Sequence, residues 1–158
     1  MSIEKRIVFC RKIFAKNEDR EGTFMKKTVR VVGAVIFDNQ NRVLCALRSH
    51  TMTLPNLWEF PGGKIEEGEK EEETLVREIY EELGCTIDVH EKIEEVHYEY
   101  PQVIVHLLTY KATIIEGEPQ AKEHAELRWV PLRDLKFLEW APADIPTVDA
   151  LLANQVNI

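Results

Sequence analysis

The chain reads as an α/β protein in which a mixed β-sheet lies between helices on both sides. Three observations predict this. Runs rich in Val and Ile stand at residues 28–37 and again after residue 86, with the composition of strands. A long stretch without a breaker, residues 69–83, separates them and carries apolar residues at helical spacing. A shorter amphipathic stretch, 147–153, closes the sequence.

Residues 1–25 fit poorly with the rest of the chain and are read as an N-terminal extension. They are basic at first, then polar, with one short apolar patch at 7–10. Three readings stay open: a short element packed on the domain, a weakly ordered arm, or a stretch ahead of a start at Met25, where MKKTVRVVGAVI looks like a natural beginning. The main domain is then 26–158. Residues 28–37 form a buried strand, Asp38-Asn39-Gln40-Asn41 a polar turn, and 42–47 the return strand of a hairpin. After Arg48 a loop leads to Trp58-Glu59-Phe60. That triplet is either a short exposed strand entering a tight loop at Pro61-Gly62-Gly63 or an ordinary core strand ending in a turn. The helix comes next, at 69–83, and Gly84 stops it. Strands at 86–96 and 98–114 flank a bend at Pro101-Gln102. A turn at 115–119 and a polar loop precede a short strand at 127–130. A short helix or turn at 131–135 comes next, then the last helix.

The 158 residues suffice for one domain with a sizeable core. A net charge of −8 argues against binding a nucleic-acid polymer through its phosphates. It permits an anionic nucleotide whose charge is met by metal ions. Cys10, Cys45 and Cys85 form no CxxC and read as reduced thiols of a cytoplasmic protein. No apolar run approaches a membrane span, and the histidines have no zinc-binding spacing.

The chemistry concentrates in GGKIEEGEKEEETLVREIYEELGC, residues 62–85. With Glu78 at zero on a helical wheel, Glu82 falls at about +40° and Glu81 at about −60°. Val76, Ile79 and Leu83 cluster between about 100° and 160° as a core stripe. Three carboxylates thus gather on the flank of the stripe, where like charges repel. A hard divalent cation resolves that repulsion, because magnesium and manganese prefer oxygen ligands. The alternative is a solvated acidic face, which suits Glu71, Glu72 and Glu73. For the rest the spacing decides. Gly63, Glu69, Arg77, Glu78, Ile79, Glu81, Glu82, Gly84 and Cys85 match Gly-x5-Glu-x7-Arg-Glu-U-x-Glu-Glu-x-Gly-U, with U apolar. A chance match is on the order of 10⁻⁸ per start position.

This stretch resembles the signature box of the Nudix hydrolases. The one departure, Cys85 in place of a larger aliphatic, keeps a buried hydrophobe. The resemblance extends over residues 26–154. It is strongest to the MutT-type nucleoside triphosphate pyrophosphohydrolases, a group with 8-oxo-dGTP diphosphatase and CTP pyrophosphohydrolase branches. LWEFPGGKIEEGE, YEYP at 98–101, GEPQAKEH at 117–124 and APADIP at 141–146 carry it. It implies the Nudix αβα sandwich. It implies Mg²⁺, with Mn²⁺ as substitute, held by Glu78, Glu82, the Gly62 carbonyl, nearby Glu81, and Glu123. Either Glu78 or Glu123 is the implied base. Arg77 joins the catalytic set by holding and orienting the carboxylates. Arg48 is implied to contact substrate, Glu59, Phe60, Pro61 and Gly62 to line the nucleotide pocket, and Asp144 to read the base.

The implied reaction is attack of water on the β-phosphorus of a nucleoside triphosphate, giving a nucleoside monophosphate and pyrophosphate. Asp144 leans the expectation towards CTP, dCTP or a 5-substituted dCTP over 8-oxo-dGTP, because an ionised carboxylate accepts from an amino group and has no proton to offer O6 of a purine. The partner is then a small-molecule nucleotide, and a monomer is favoured over an oligomer. Two alternatives stand beside this. One is hydrolysis of ADP-ribose or another nucleoside diphosphate derivative. The other is a non-catalytic nucleotide-binding module, which the complete set of box glutamates disfavours.

Overall fold

The computed structural model describes residues 26–156, so the expectations for the extension fall outside the described residues. Its centre is β1 (Lys27–Phe37), whose alternating side chains enter two cores. Along one edge β1 pairs in parallel with β6 (Val103–Glu116), from Lys27↔Val103 to Phe37↔Thr113. The other edge is shared. β4 (Gly62–Lys64) pairs antiparallel with it at Val31–Gly33, and β2 (Arg42–Leu47) meets it at Phe37↔Val43. β2 in turn pairs with β3 (Trp58–Glu59) and with β7 (Glu126–Pro131). β5 (Thr86–Glu99) lies antiparallel to β6. The result is the predicted mixed sheet, here of seven strands.

α1 (Glu71–Leu83) covers one face, with Leu75, Ile79 and Leu83 packed against Val32, Ala34, Ile36, Leu108 and Ala112. Burying each of those three helix side chains contributes about 1.5–3 kcal/mol. α2 (Ile145–Val156) covers the other face, where Val148 and Leu151 meet Val35, Val43 and Cys45. The helices therefore flank the sheet, as the sequence predicts.

Several boundaries move. The sequence predicts the helix from Glu69, but it begins at Glu71. Gly68 has φ +84° and Lys70 is extended, and Glu69 accepts from the Glu66 amide in the turn before the helix. Tyr98 and Glu99 end β5 instead of starting β6, because the Tyr100 amide closes the bend on the Val103 carbonyl at 2.8 Å. The short element after β7 is a 3-10 turn at Leu132–Phe137. The last helix starts at Ile145, after a second 3-10 turn at Pro142–Asp144. Trp58, Glu59 and Phe60 are buried, so the core-strand reading holds and the exposed one does not. Glu78 and Glu82 also lie within the buried face, not beside it. Leu75 at about +60° and fully buried Thr74 at about −40° on the same wheel widen the buried arc until it includes both carboxylates.

Candidate active site

The Pro61-Gly62-Gly63 turn is fixed before any side chain is considered. The Pro61 carbonyl accepts from the Ala34 amide at 2.8 Å, and Gly62 and Gly63 pair with Gly33 and Val32. A Cβ on Gly62 would lie 1.9 Å from the Val32 carbonyl oxygen, so only glycine fits. A Cβ on Gly63 would lie 2.4 Å from the Glu78 carboxylate. The turn is thus a backbone ledge on which that carboxylate rests.

Glu78 and Glu82, one helical turn apart, are 2% and 0% exposed. Two carboxylates in this setting carry a desolvation cost and a mutual repulsion. Arg77 offsets part of it. Its guanidinium donates to both oxygens of Glu69 at 2.8 Å, to Glu78 Oε1 at 2.8 Å, and to Glu81 Oε2 at 3.5 Å. Glu69 is the anchor of this set, since it also accepts from the Glu66 amide and the Thr74 hydroxyl. The hydrogen bonds from Arg77 hold its carboxyl down at about 2. Arg77 is raised above its ordinary value, Glu69 being the main cause. Of the residues expected to be solvated, Glu72 and Glu73 are exposed, while Glu71 is half-buried and takes hydrogen bonds from Arg30 and the Tyr110 hydroxyl.

Glu123 arrives from a different element. It is buried on the 117–125 loop, which is fastened at both ends. The Gln120 amide donates to the Leu83 carbonyl at the end of α1, and the Ala125 amide donates to the Leu47 carbonyl at the end of β2, each at 2.9 Å. Among the described residues, no three His, Cys, Asp or Glu side chains converge tightly enough to hold an ion alone. The donors are nevertheless all oxygens, of the type hard cations take, and magnesium is commonly held by one or two carboxylates with waters and substrate phosphates completing the shell. The buried pair of Glu78, which rests on the glycine ledge, and Glu82 one turn later fits that pattern.

The expected nucleotide-binding residues form a neighbouring wall. The Arg48 guanidinium donates to the Thr53 carbonyl at 2.7 Å and hydroxyl at 3.0 Å, and pairs with Glu59. Glu59 Oε2 lies 3.3 Å from His124 Nε2. Just past β3, the Phe60 amide donates to Asp144 Oδ1 at 3.2 Å. The Phe60 ring packs on Trp140 with centroids 4.7 Å apart. Tyr100 closes this end, its hydroxyl accepting from the Ala143 amide at 3.3 Å. Burial and, after it, the charge of Asp144 push the Tyr100 hydroxyl up to about 12. Pro61 is a buried anchor of β1 as well as a neighbour of this wall. Sequence reasoning missed His124, Thr53 and Trp140. A single histidine or threonine has no spacing to betray it, and Trp140 reads as core.

The NUDIX domain family matches residues 27–151. A CTP pyrophosphohydrolase of Escherichia coli K12 is 36% identical over 127 residues, which are 80% of this chain and 93% of that protein. An 8-oxo-dGTP diphosphatase of the same organism is 35% identical over 127 residues, covering 80% and 98%. A solution structure of MutT from methicillin-resistant Staphylococcus aureus 252 superposes with a TM-score of 0.68 at 46% identity, covering 82% of this chain and 99% of that one. The sheet with its two helix layers, the motif folded around Arg77, and these likenesses agree on one assignment, and the chain belongs to the Nudix hydrolases.

Proposed function

We propose that this Nudix hydrolase cleaves a nucleoside triphosphate to the monophosphate and pyrophosphate with Mg²⁺, or Mn²⁺ in its place, and prefers a cytosine nucleotide. Nudix hydrolases act on small-molecule nucleotides and generally use a divalent metal. Glu78 and Glu82 would hold the cation, with the Gly62 carbonyl, Glu81 and Glu123 as further oxygen donors. When bound, the cation neutralises phosphate charge and acidifies a water. The chain's own part is to orient and to move a proton. Arg77 fixes the Glu78 carboxylate, and either Glu78 or Glu123 takes the proton of the attacking water. The water oxygen bonds to the β-phosphorus as the bridging bond to the nucleoside monophosphate breaks. We read the enzyme as a cytoplasmic monomer working on free nucleotides, in keeping with its −8 charge. Among the described residues no helix is long and apolar enough to cross a membrane.

The base preference rests on one observation: the Phe60 amide takes Asp144 Oδ1. That bond holds the carboxylate against the Phe60 backbone, and on this reading its acceptor character would meet the base. Cytosine presents an N4 amino donor, and a matched contact is worth about 1–3 kcal/mol of discrimination. An 8-oxoguanine O6 needs a donor instead, which an asparagine amide supplies and an ionised Asp144 does not. The test is Mg²⁺-dependent pyrophosphate release from CTP, dCTP, 5-methyl-dCTP, dGTP and 8-oxo-dGTP, with ADP-ribose as control. We expect the highest kcat/KM on a cytosine nucleotide, and a shift towards 8-oxo-dGTP in Asp144→Asn. A native preference for 8-oxo-dGTP of tenfold or more sinks the base assignment. No pyrophosphate release from any triphosphate sinks the reaction.

A further inference from the structure

His124 stands directly after the candidate base or metal ligand Glu123, yet its side chain is 0% exposed and cannot meet substrate directly. Its Nε2 lies 3.3 Å from Glu59 Oε2, and a carboxylate receives what that nitrogen donates. The other Glu59 oxygen pairs with Arg48, whose guanidinium is fastened to Thr53. A buried line therefore runs from the Glu123 loop, through His124 and Glu59, to Arg48. The backbone ties that loop down on either side, at Gln120 and at Ala125. Those two ties reach α1 and β2, whereas the His124–Glu59 contact joins the residue next to Glu123 to the wall itself.

We propose that His124 is a positioning residue which sets the Glu123 loop against the Arg48–Glu59 wall, so that the acidic group and the substrate-contacting arginine keep a fixed separation. This rests on the pyrophosphohydrolase reading. The link matters because a misplacement of about 1 Å in a reacting group costs on the order of 10²-fold in rate, and residues that orient metal-site groups typically contribute about 10–100-fold. A space-filling histidine would make a different prediction: an apolar residue of similar size would replace it without kinetic loss.

Three variants separate these cases. His124→Gln keeps an N–H donor near the position of Nε2. His124→Asn carries the same amide on a stem one methylene shorter. His124→Leu keeps bulk and has no donor. With Mg²⁺ and the best triphosphate of the panel, His124→Gln should stay within about threefold of native kcat. His124→Asn and His124→Leu should fall by about 10–100-fold in kcat, with a smaller change in KM. Amide hydrogen exchange at residues 120–125 should quicken in the Asn and Leu variants and stay native in the Gln variant. Equal activity in all three, or Gln as poor as Asn, overturns the proposal. If the Leu variant does not fold, the Gln and Asn pair decides alone. If the native protein releases no pyrophosphate, the reaction assignment has failed, and the exchange rates still decide the role of His124. Unchanged exchange in the Asn variant then overturns it.

Discussion

Glu69 occupies a fixed place in the motif and serves it without reaching the reacting centre. Its bidentate hold on Arg77 is what lets Arg77 face Glu78 and Glu81. Its carboxyl sits at about 2, below the ordinary value of 4.5. A depressed carboxyl contributes stability above its unfolded pKa and loses it as pH falls through the folded one. The contribution should thus be intact above about pH 4.5 and vanish by about pH 2. Urea midpoints measured across that window should fall for the native protein and fall less steeply for Glu69→Gln, which should be the weaker of the two at neutral pH. Glu82 behaves differently, since it is fully buried beside Glu78. Glu82→Gln removes one of two repelling charges, so melting without metal should be unchanged or raised, while kcat should drop by about 10²-fold. Full activity of Glu82→Gln at saturating Mg²⁺ would remove it from the metal set.

At the scale of elements, β4 shows what the two glycines are for. Gly62→Ala drives a Cβ into the Val32 carbonyl, and the β1–β4 pair has to part, so a loss on the order of 3 kcal/mol or outright failure to fold is expected. Gly63→Ala meets the end of the Glu78 side chain instead, which can swing away. That variant should fold and lose activity, and thermal melts beside kcat measurements tell the two apart. Neither role is legible in the sequence, because Gly-Gly-Lys has no strand propensity and forms β4 only by pairing with β1. β1, the β1–β2 turn and α1 are legible, since alternation, turn residues and helical spacing are local signals. On the α1 wheel a stripe of Val76, Ile79 and Leu83 leaves out Leu75. Without Leu75 and the buried Thr74 on the far side of Glu78 the stripe ends before Glu82, and two buried carboxylates look like flank residues. Asp144 is legible as part of APADIP, while its bond to Phe60 depends on a 3-10 turn brought across from the far end of the chain.

The oxygen donors proposed for the cation come from three segments: the backbone ledge at 62–63, the carboxylates of α1, and the loop that carries Glu123. The fold therefore gathers negative charge on a protein that already carries −8, and native structure is maintained against that repulsion. The unfolded chain scatters the same oxygens and binds cations weakly. A divalent cation should accordingly raise the melting temperature by an amount that follows RT ln(1 + [M]/Kd), about 2.7 kcal/mol at a hundred times Kd. The increment should grow when a non-hydrolysable triphosphate is present, because phosphate oxygens supply ligands that the described side chains do not supply alone. It should shrink in Glu82→Gln and persist in Asp144→Asn, which alters the proposed base-reading side. Melts with Mg²⁺, Mn²⁺ and a monovalent salt of equal ionic strength separate specific binding from general screening. Identical shifts in all three salts, with and without nucleotide, would mean that the gathered carboxylates are tolerated by the fold for some reason other than a metal.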